Sequence, residues 1–83
     1  MLDVTIVTPR KIAWKGQADD LQAPGELGEF GVLPKHIAFL STLKPGVLKV
    51  HVKGGEQRWK IGTGFCEVNH DKVTVLTESA EEG

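Results

Sequence analysis

Eighty-three residues, 40% hydrophobic and 25% charged, make one domain, and a chain this short hides only about 60–65% of the surface its unfolded form exposes. Ten basic against eleven acidic side chains leave a net charge of −1, too weak a field for nucleic acid or an anionic membrane to be the main partner, which points to a protein partner. No apolar run approaches the roughly 20 residues that cross a bilayer, and Met1 leads into Leu2-Asp3-Val4 with neither a basic region nor a long apolar one. Cys66 alone carries a thiol, which excludes an internal disulfide, so a soluble, cytosolic chain held together by packing is expected.

Along the chain, Leu2, Val4 and Ile6 share one phase with Asp3 and Thr5 on the other, the period-two mark of a half-buried strand. Shorter matches follow at Ile12 with Trp14 and Leu21 with Ala23, with Pro9 and Gly16 as turn signals. Gly28 to His36, GEFGVLPKH, then places two glycines, one proline, a carboxylate and an imidazole within nine positions. Glycine permits positive φ or close backbone approach and Pro34 fixes φ, so this stretch reads as a shaped loop.

The next strand has no clearly polar phase: Ile37, Phe39 and Leu43 share one side, and Ala38, Leu40 and Thr42 the other. Two readings compete. A central strand can be covered on both faces by its own domain, or a thin sandwich has a single inside and leaves the second face to a partner chain. Alternation resumes at Leu48, Val50 and Val52 against Lys49 and His51. Gly54-Gly55 suits a two-residue hairpin turn pairing residues near 48–53 with those near 56–61. Trp59 with Ile61 and Val73 with Val75 complete the strands, and Asn69-His70-Asp71 marks a further turn. Many short, evenly punctuated strands imply an all-β sandwich or barrel over residues 1–78. The remaining residues, 79–83, read as an acidic tail or as the start of a missing helix, because Ser79 followed by Glu82 forms a capping box.

Chemistry finds little purchase. Glu26 and Glu29 could act as acid and base only within a protected cleft, which a glycine-rich surface loop does not supply. His36, His51 and His70 are too widely spaced for a zinc site, and Cys66 reads as a small buried apolar residue. Gly25-Glu26-Leu27-Gly28 matches the GXXG phosphate clamp of KH domains in letters only, since Glu26 and Glu29 would repel phosphate. No phosphate-cradling glycine motif opens a helix. No catalytic residue, metal or cofactor is expected.

Ala23-Pro24-Gly25, the loop through His36, and Lys44-Pro45-Gly46 together resemble the signature of the epsilon subunit of rotary F-type ATP synthases, called delta in mitochondria. The likeness begins at Leu2-Asp3-Val4 and continues through Ile61-Gly62-Thr63-Gly64-Phe65-Cys66-Glu67-Val68 and Lys72-Val73-Thr74-Val75-Leu76, so it covers nearly the whole chain. It implies a flattened β-sandwich of about ten short strands at the foot of the central stalk, gripping the gamma subunit and resting on the polar loops of the c ring. It implies a non-catalytic rotor subunit that couples proton translocation to ATP synthesis, without direct membrane insertion, at the cytoplasmic face of a bacterial inner membrane. The partner-binding positions it implies are Glu29 at the loop tip for the c ring, Phe30 beside it, and His36 with Ala38, Leu40, Ser41 and Thr42 facing gamma. The segment Glu78 to Ala80 would border the same surface. Family members typically continue into a two-helix hairpin that inhibits hydrolysis and, in some bacteria, binds ATP; these residues do not contain it, so neither property carries over. The competing class is a lipoyl or biotinyl carrier domain, for which Lys72 near a hairpin would be the modified residue, and a third reading is an unrelated all-β adaptor.

Overall fold

Side chains alternate across a strand, so the apolar phases need a shared interior. A computed structural model of the protein, describing residues 1–35 and 38–83, builds that interior from strands alone. The strands are β1 (Leu2–Val7), β2 (Ile12–Ala18), β3 (Asp20–Gly25), β4 (Gly28–Val32), β5 (Phe39–Leu43), β6 (Gly46–Val52), β7 (Gly55–Ile61), β8 (Gly64–Asn69), β9 (Lys72–Thr77) and β10 (Ala80–Glu82). They form one sheet of ten strands in the order β10-β7-β6-β3-β5-β8-β9-β1-β2, with β4 paired to β3 outside this path. Every ladder is antiparallel except β1 with β9, which brings the first strand beside one of the last.

Strand β3 joins the two halves of the sheet. The beginning of β3 pairs with β6, while Gly25 at its end pairs with Leu43 of β5. The Lys44 amide donates to the Pro24 carbonyl at 2.9 Å, and the Glu26 amide to the Thr42 carbonyl at 3.2 Å. At this corner a methyl group on Gly46 would lie 2.9 Å from the Pro24 Cβ, so the absence of a side chain allows the close approach. The inward phases meet in a core that includes Leu2, Val4, Ile6, Leu21, Leu43, Leu48, Val50, Trp59, Ile61, Cys66, Val68, Val73 and Val75. Thr77 is the buried polar residue among those described. Its hydroxyl lies within 3.0–3.3 Å of the carbonyls of Gly62, Thr63 and Ser79, so the group is satisfied and ties the β7–β8 connection to the chain after β9.

Five expectations change, and the first is Gly16, which is no turn but lies inside β2 opposite Val4. Gly28 to Val32 is not loop but β4: the chain turns at Glu26-Leu27, and Gly28 at φ +131° carries it back along β3. The β6–β7 turn falls on Lys53-Gly54, not Gly54-Gly55, because one positive φ, +89° at Gly54, suffices and Gly55 rejoins the ladder opposite Val52. Ile12 is exposed, and Trp14 is only half-buried, with its ring against Gly16. The capping box at Ser79 opens no helix here, since Ala80, Glu81 and Glu82 pair with Ile61, Lys60 and Trp59. An unpaired edge on β7 offers several ladder bonds at once, more than one turn of isolated helix can supply.

Gly64 is the glycine with least tolerance. A methyl group there would sit 1.9 Å from the Leu76 carbonyl oxygen and 2.8 Å from the Thr77 Cα, both backbone. Gly64→Ala should therefore lower stability by about 1–3 kcal/mol in a urea titration, as overpacking does. Gly31→Ala, whose nearest neighbour would be 3.8 Å away, should leave the midpoint nearly unchanged.

Candidate interaction surface

Strand β5 is central in the sheet, yet only one of its faces is covered. Phe39 and Leu43 turn inward, and the Phe39 ring meets Phe30 of β4 edge to face, with centroids 5.5 Å apart and planes at 77°. Ser41 shares that phase and is half-buried. Ala38, Leu40 and Thr42 point the other way and are exposed, Leu40 to 65%. Of the two readings of this segment, the one with an uncovered apolar face holds.

The ladders extend that face into rows. Thr42 stands opposite Phe65, Phe65 opposite Leu76, and Leu76 beside Val7, so one row crosses β5, β8, β9 and β1 with little charge. Phe65 and Leu76 are 47% and 45% exposed. The next row runs Leu40, Glu67, Thr74 and Thr5, with Glu67 as its one ionisable group. An open groove of about 520 Å³ follows the apolar row, with Thr8 and Pro9 at one end and Glu26, Thr63 and Glu78 around it.

The outer face of the other half has the opposite character. Asp20, His51 and Glu56 form one row across β3, β6 and β7, and Gln22, Lys49 and Arg58 the next. Val47, Lys60 and Glu81 form a third across β6, β7 and β10. Charged groups of this density are suited to water, whereas grouped exposed Leu and Phe side chains are suited to a protein neighbour.

The remaining predicted positions cluster less tightly. Glu29 is exposed on β4 opposite Pro24, two residues beyond the hairpin tip, where Glu26 and Leu27 project instead. The Lys35 amide, at φ 63°, donates to the Asp71 carboxylate at 2.7 Å, so the segment after β4 is pinned to the β8–β9 turn. His36 lies outside the described residues, as does Ile37. Glu26, at the rim of the open groove, and Glu29 are both exposed, and no metal-binding cluster of acidic, histidine or cysteine residues occurs among the described residues. Burial pushes the Cys66 thiol up to about 12, which makes it inert. Phe65, Leu76 and Val7 were not singled out from sequence, although the first two carry a readable signal. Phe65 is out of phase with buried Cys66 and Val68, and Leu76 with buried Val73 and Val75.

The chain is thus a small all-β sandwich with grouped apolar side chains on one outer face and mostly charged ones on the other. Residues 1–83 match the family described as ATP synthase, Delta/Epsilon chain, beta-sandwich domain, and the chain belongs to that family. It is 48% identical over 80 residues to an ATP synthase epsilon chain of Geotalea uraniireducens, covering 96% of this chain and 58% of the relative. It is 50% identical over 80 residues to one of Nitratidesulfovibrio vulgaris, covering 96% and 60%. The chain thus spans about three fifths of the curated relatives it matches. Among solved structures, a chain of the Euglena gracilis mitochondrial ATP synthase OSCP/F1/c-ring assembly superposes with a TM-score of 0.91 at 27% identity, over 98% of this chain and 52% of that one. A chain of the Tetrahymena thermophila mitochondrial ATP synthase central stalk/c-ring superposes at 0.82 and 21% identity, over 96% and 65%, which bears on the fold alone.

Two substitutions in one strand check the assignment of faces. Leu43→Ala should cost about 2–5 kcal/mol in urea unfolding, as core truncations do. Leu40→Ser should stay within roughly 0.5 kcal/mol of the parent. Cys66 should resist a thiol reagent at mildly alkaline pH until denaturant is added.

Proposed function

We propose that the chain is a non-catalytic rotor-stalk component, docking its apolar outer face on the gamma subunit and its β3–β4 hairpin region on the polar loops of the c ring. It would thereby couple proton translocation to ATP synthesis from the cytoplasmic face of a bacterial inner membrane, without entering the bilayer. The observation that carries this reading is the uncovered row Thr42, Phe65, Leu76 and Val7 with Leu40 beside it, on a slab whose other outer face is charged. Family membership supports it, as do relatives named as ATP synthase epsilon chains and a neighbour found in an F1/c-ring assembly.

Within this reading Ala38, Leu40 and Thr42 form the gamma-facing phase, and Ser41 supports them from the inward one. Phe30 stiffens the hairpin through Phe39, and Glu29, with Glu26 and Leu27 at the tip, faces the c ring. The assignment of His36 to gamma rests on the family resemblance. Magnitudes rank the contacts, since burying a Leu-sized side chain gives about 1.5–3 kcal/mol and an exposed ion pair about 0–1. Apolar burial should supply the affinity while Glu29 sets register. The carrier-domain alternative gains nothing from the fold, because Lys72 lies in the β9 ladder opposite Asn69, and the two-residue turn is His70-Asp71.

Co-purification with gamma tests the ranking. Leu40→Asp and Phe65→Asp should reduce recovery at least about tenfold, the loss of one buried apolar side chain. Glu29→Gln should reduce it by less than about fivefold. Equal losses from all three would overturn the ranking, and a lipoyl or biotinyl adduct on Lys72 by intact mass would overturn the reading.

A further inference from the structure

We propose that Asp20, His51 and Glu56 form a protonation-gated clasp that fastens the tip of the β6–β7 hairpin to β3. The three residues stand directly opposite one another on adjacent strands. The His51 Nδ1 contacts the Asp20 Oδ1, and the Nε2 lies 2.8 Å from the Glu56 Oε1. Ionised carboxylates only accept hydrogen bonds, and neutral imidazole carries one N–H. With both carboxylates ionised, both contacts can be hydrogen bonds only when both ring nitrogens carry protons, which is the imidazolium form.

The surroundings favour that state. Arg58 donates through Nε to the second oxygen of Glu56 at 2.7 Å, which keeps this carboxylate ionised. With His51 protonated, two acids and two cations balance; with His51 neutral, the group carries one excess negative charge. The other charged groups around it are Asp19, whose amide donates to the His51 carbonyl at 2.7 Å, then Lys49 on β6 and Lys53 in the turn. β2, which also approaches β6, carries Lys15 as its only charged side chain.

The hydrogen bonds that His51 donates to Asp20 and Glu56 raise its pKa above the ordinary 6.5. Its stabilising contribution is therefore fully present below that ordinary value and is lost as pH rises through the raised one. Arg58, and then His51, hold Glu56 below its ordinary 4.5, so its share is present above that value and is lost as pH falls through the lowered one. The clasp is closed between the carboxylate and imidazole ranges and opens on the alkaline side. Beyond it the tip is held by the ladder pair of Val52 with Gly55, the Asp19 amide on the His51 carbonyl and the half-buried Val52 side chain against the core, while residues 53–56 are exposed. The clasp lies on the charged outer face and is independent of the proposed docking row.

An NMR titration of the whole chain with labelled histidine, combined with amide-exchange protection corrected for intrinsic rates, tests the clasp. His51 should titrate above 6.5, its ordinary value, with both ring nitrogens protonated below its midpoint. Protection at Val52 to Gly55 should fall by roughly threefold or more as pH passes that midpoint, as local opening grows, while Val73 and Val75 stay protected. Glu56→Gln should lower the midpoint, and His51→Gln should remove the pH dependence at the tip. A His51 midpoint at or below the ordinary value, or the same pH-dependent loosening in His51→Gln, would overturn the proposal.

Discussion

A slab built from strands has one inside, and alternation assigns every second side chain to it. That single constraint organises this protein. The inward phases of β1, β3, β6, β7, β8 and β9 are consumed by the core, so whatever the outward phases carry must face water or another chain. The outward residues then divide unevenly, with an exposed row of Asn69, Lys72 and Asp3 bordering the apolar rows. Across β3, β6, β7 and β10 they are mostly ionic, and across β5, β8, β9 and β1 they are mostly apolar or hydroxylic. A domain of this size gains nothing from leaving Leu40, Phe65 and Leu76 in water, and the physical gain appears only when a neighbour covers them.

The same geometry explains how the surface is kept flat and firm. The hairpin of β3 and β4 is braced by the edge-to-face contact between Phe30 and Phe39. The segment following β4 is tied through the Lys35 amide to Asp71. The Thr77 hydroxyl binds the strand connections near one end of the apolar groove. These contacts position exposed side chains on a rigid ladder rather than on mobile loops, which lowers the ordering cost of association.

Much of this was legible in the sequence. Strands with clean alternation, such as β1 and β6, and the all-β class follow directly from the period-two pattern, and β5 stands out as a strand lacking a polar phase, for which an uncovered face is one of two readings. Other features were hidden for identifiable reasons. β4 carries Gly28 and Gly31, which read as loop punctuation until pairing with β3 shows them in a ladder. At Ser79 a local helix-start pattern lost to the edge of β7, a long-range partner that no local motif reveals. The phase of β5 required knowing its register with β8. The row through Phe65 and Leu76 depends on three ladders at once, so the out-of-phase signal in each strand gained meaning only when the strands were placed side by side. The proposed partners rest on the family resemblance, whereas the division of the outer surface comes from the fold.

Carbene footprinting of the assembled complex tests most directly whether the apolar outer face is the covered one. Comparing the free chain with the chain bound to gamma, labelling at Leu40, Phe65 and Leu76 should drop several-fold while labelling around Lys49, Arg58 and Lys60 stays unchanged. Protection of the charged face with undiminished labelling of the apolar row would contradict the account.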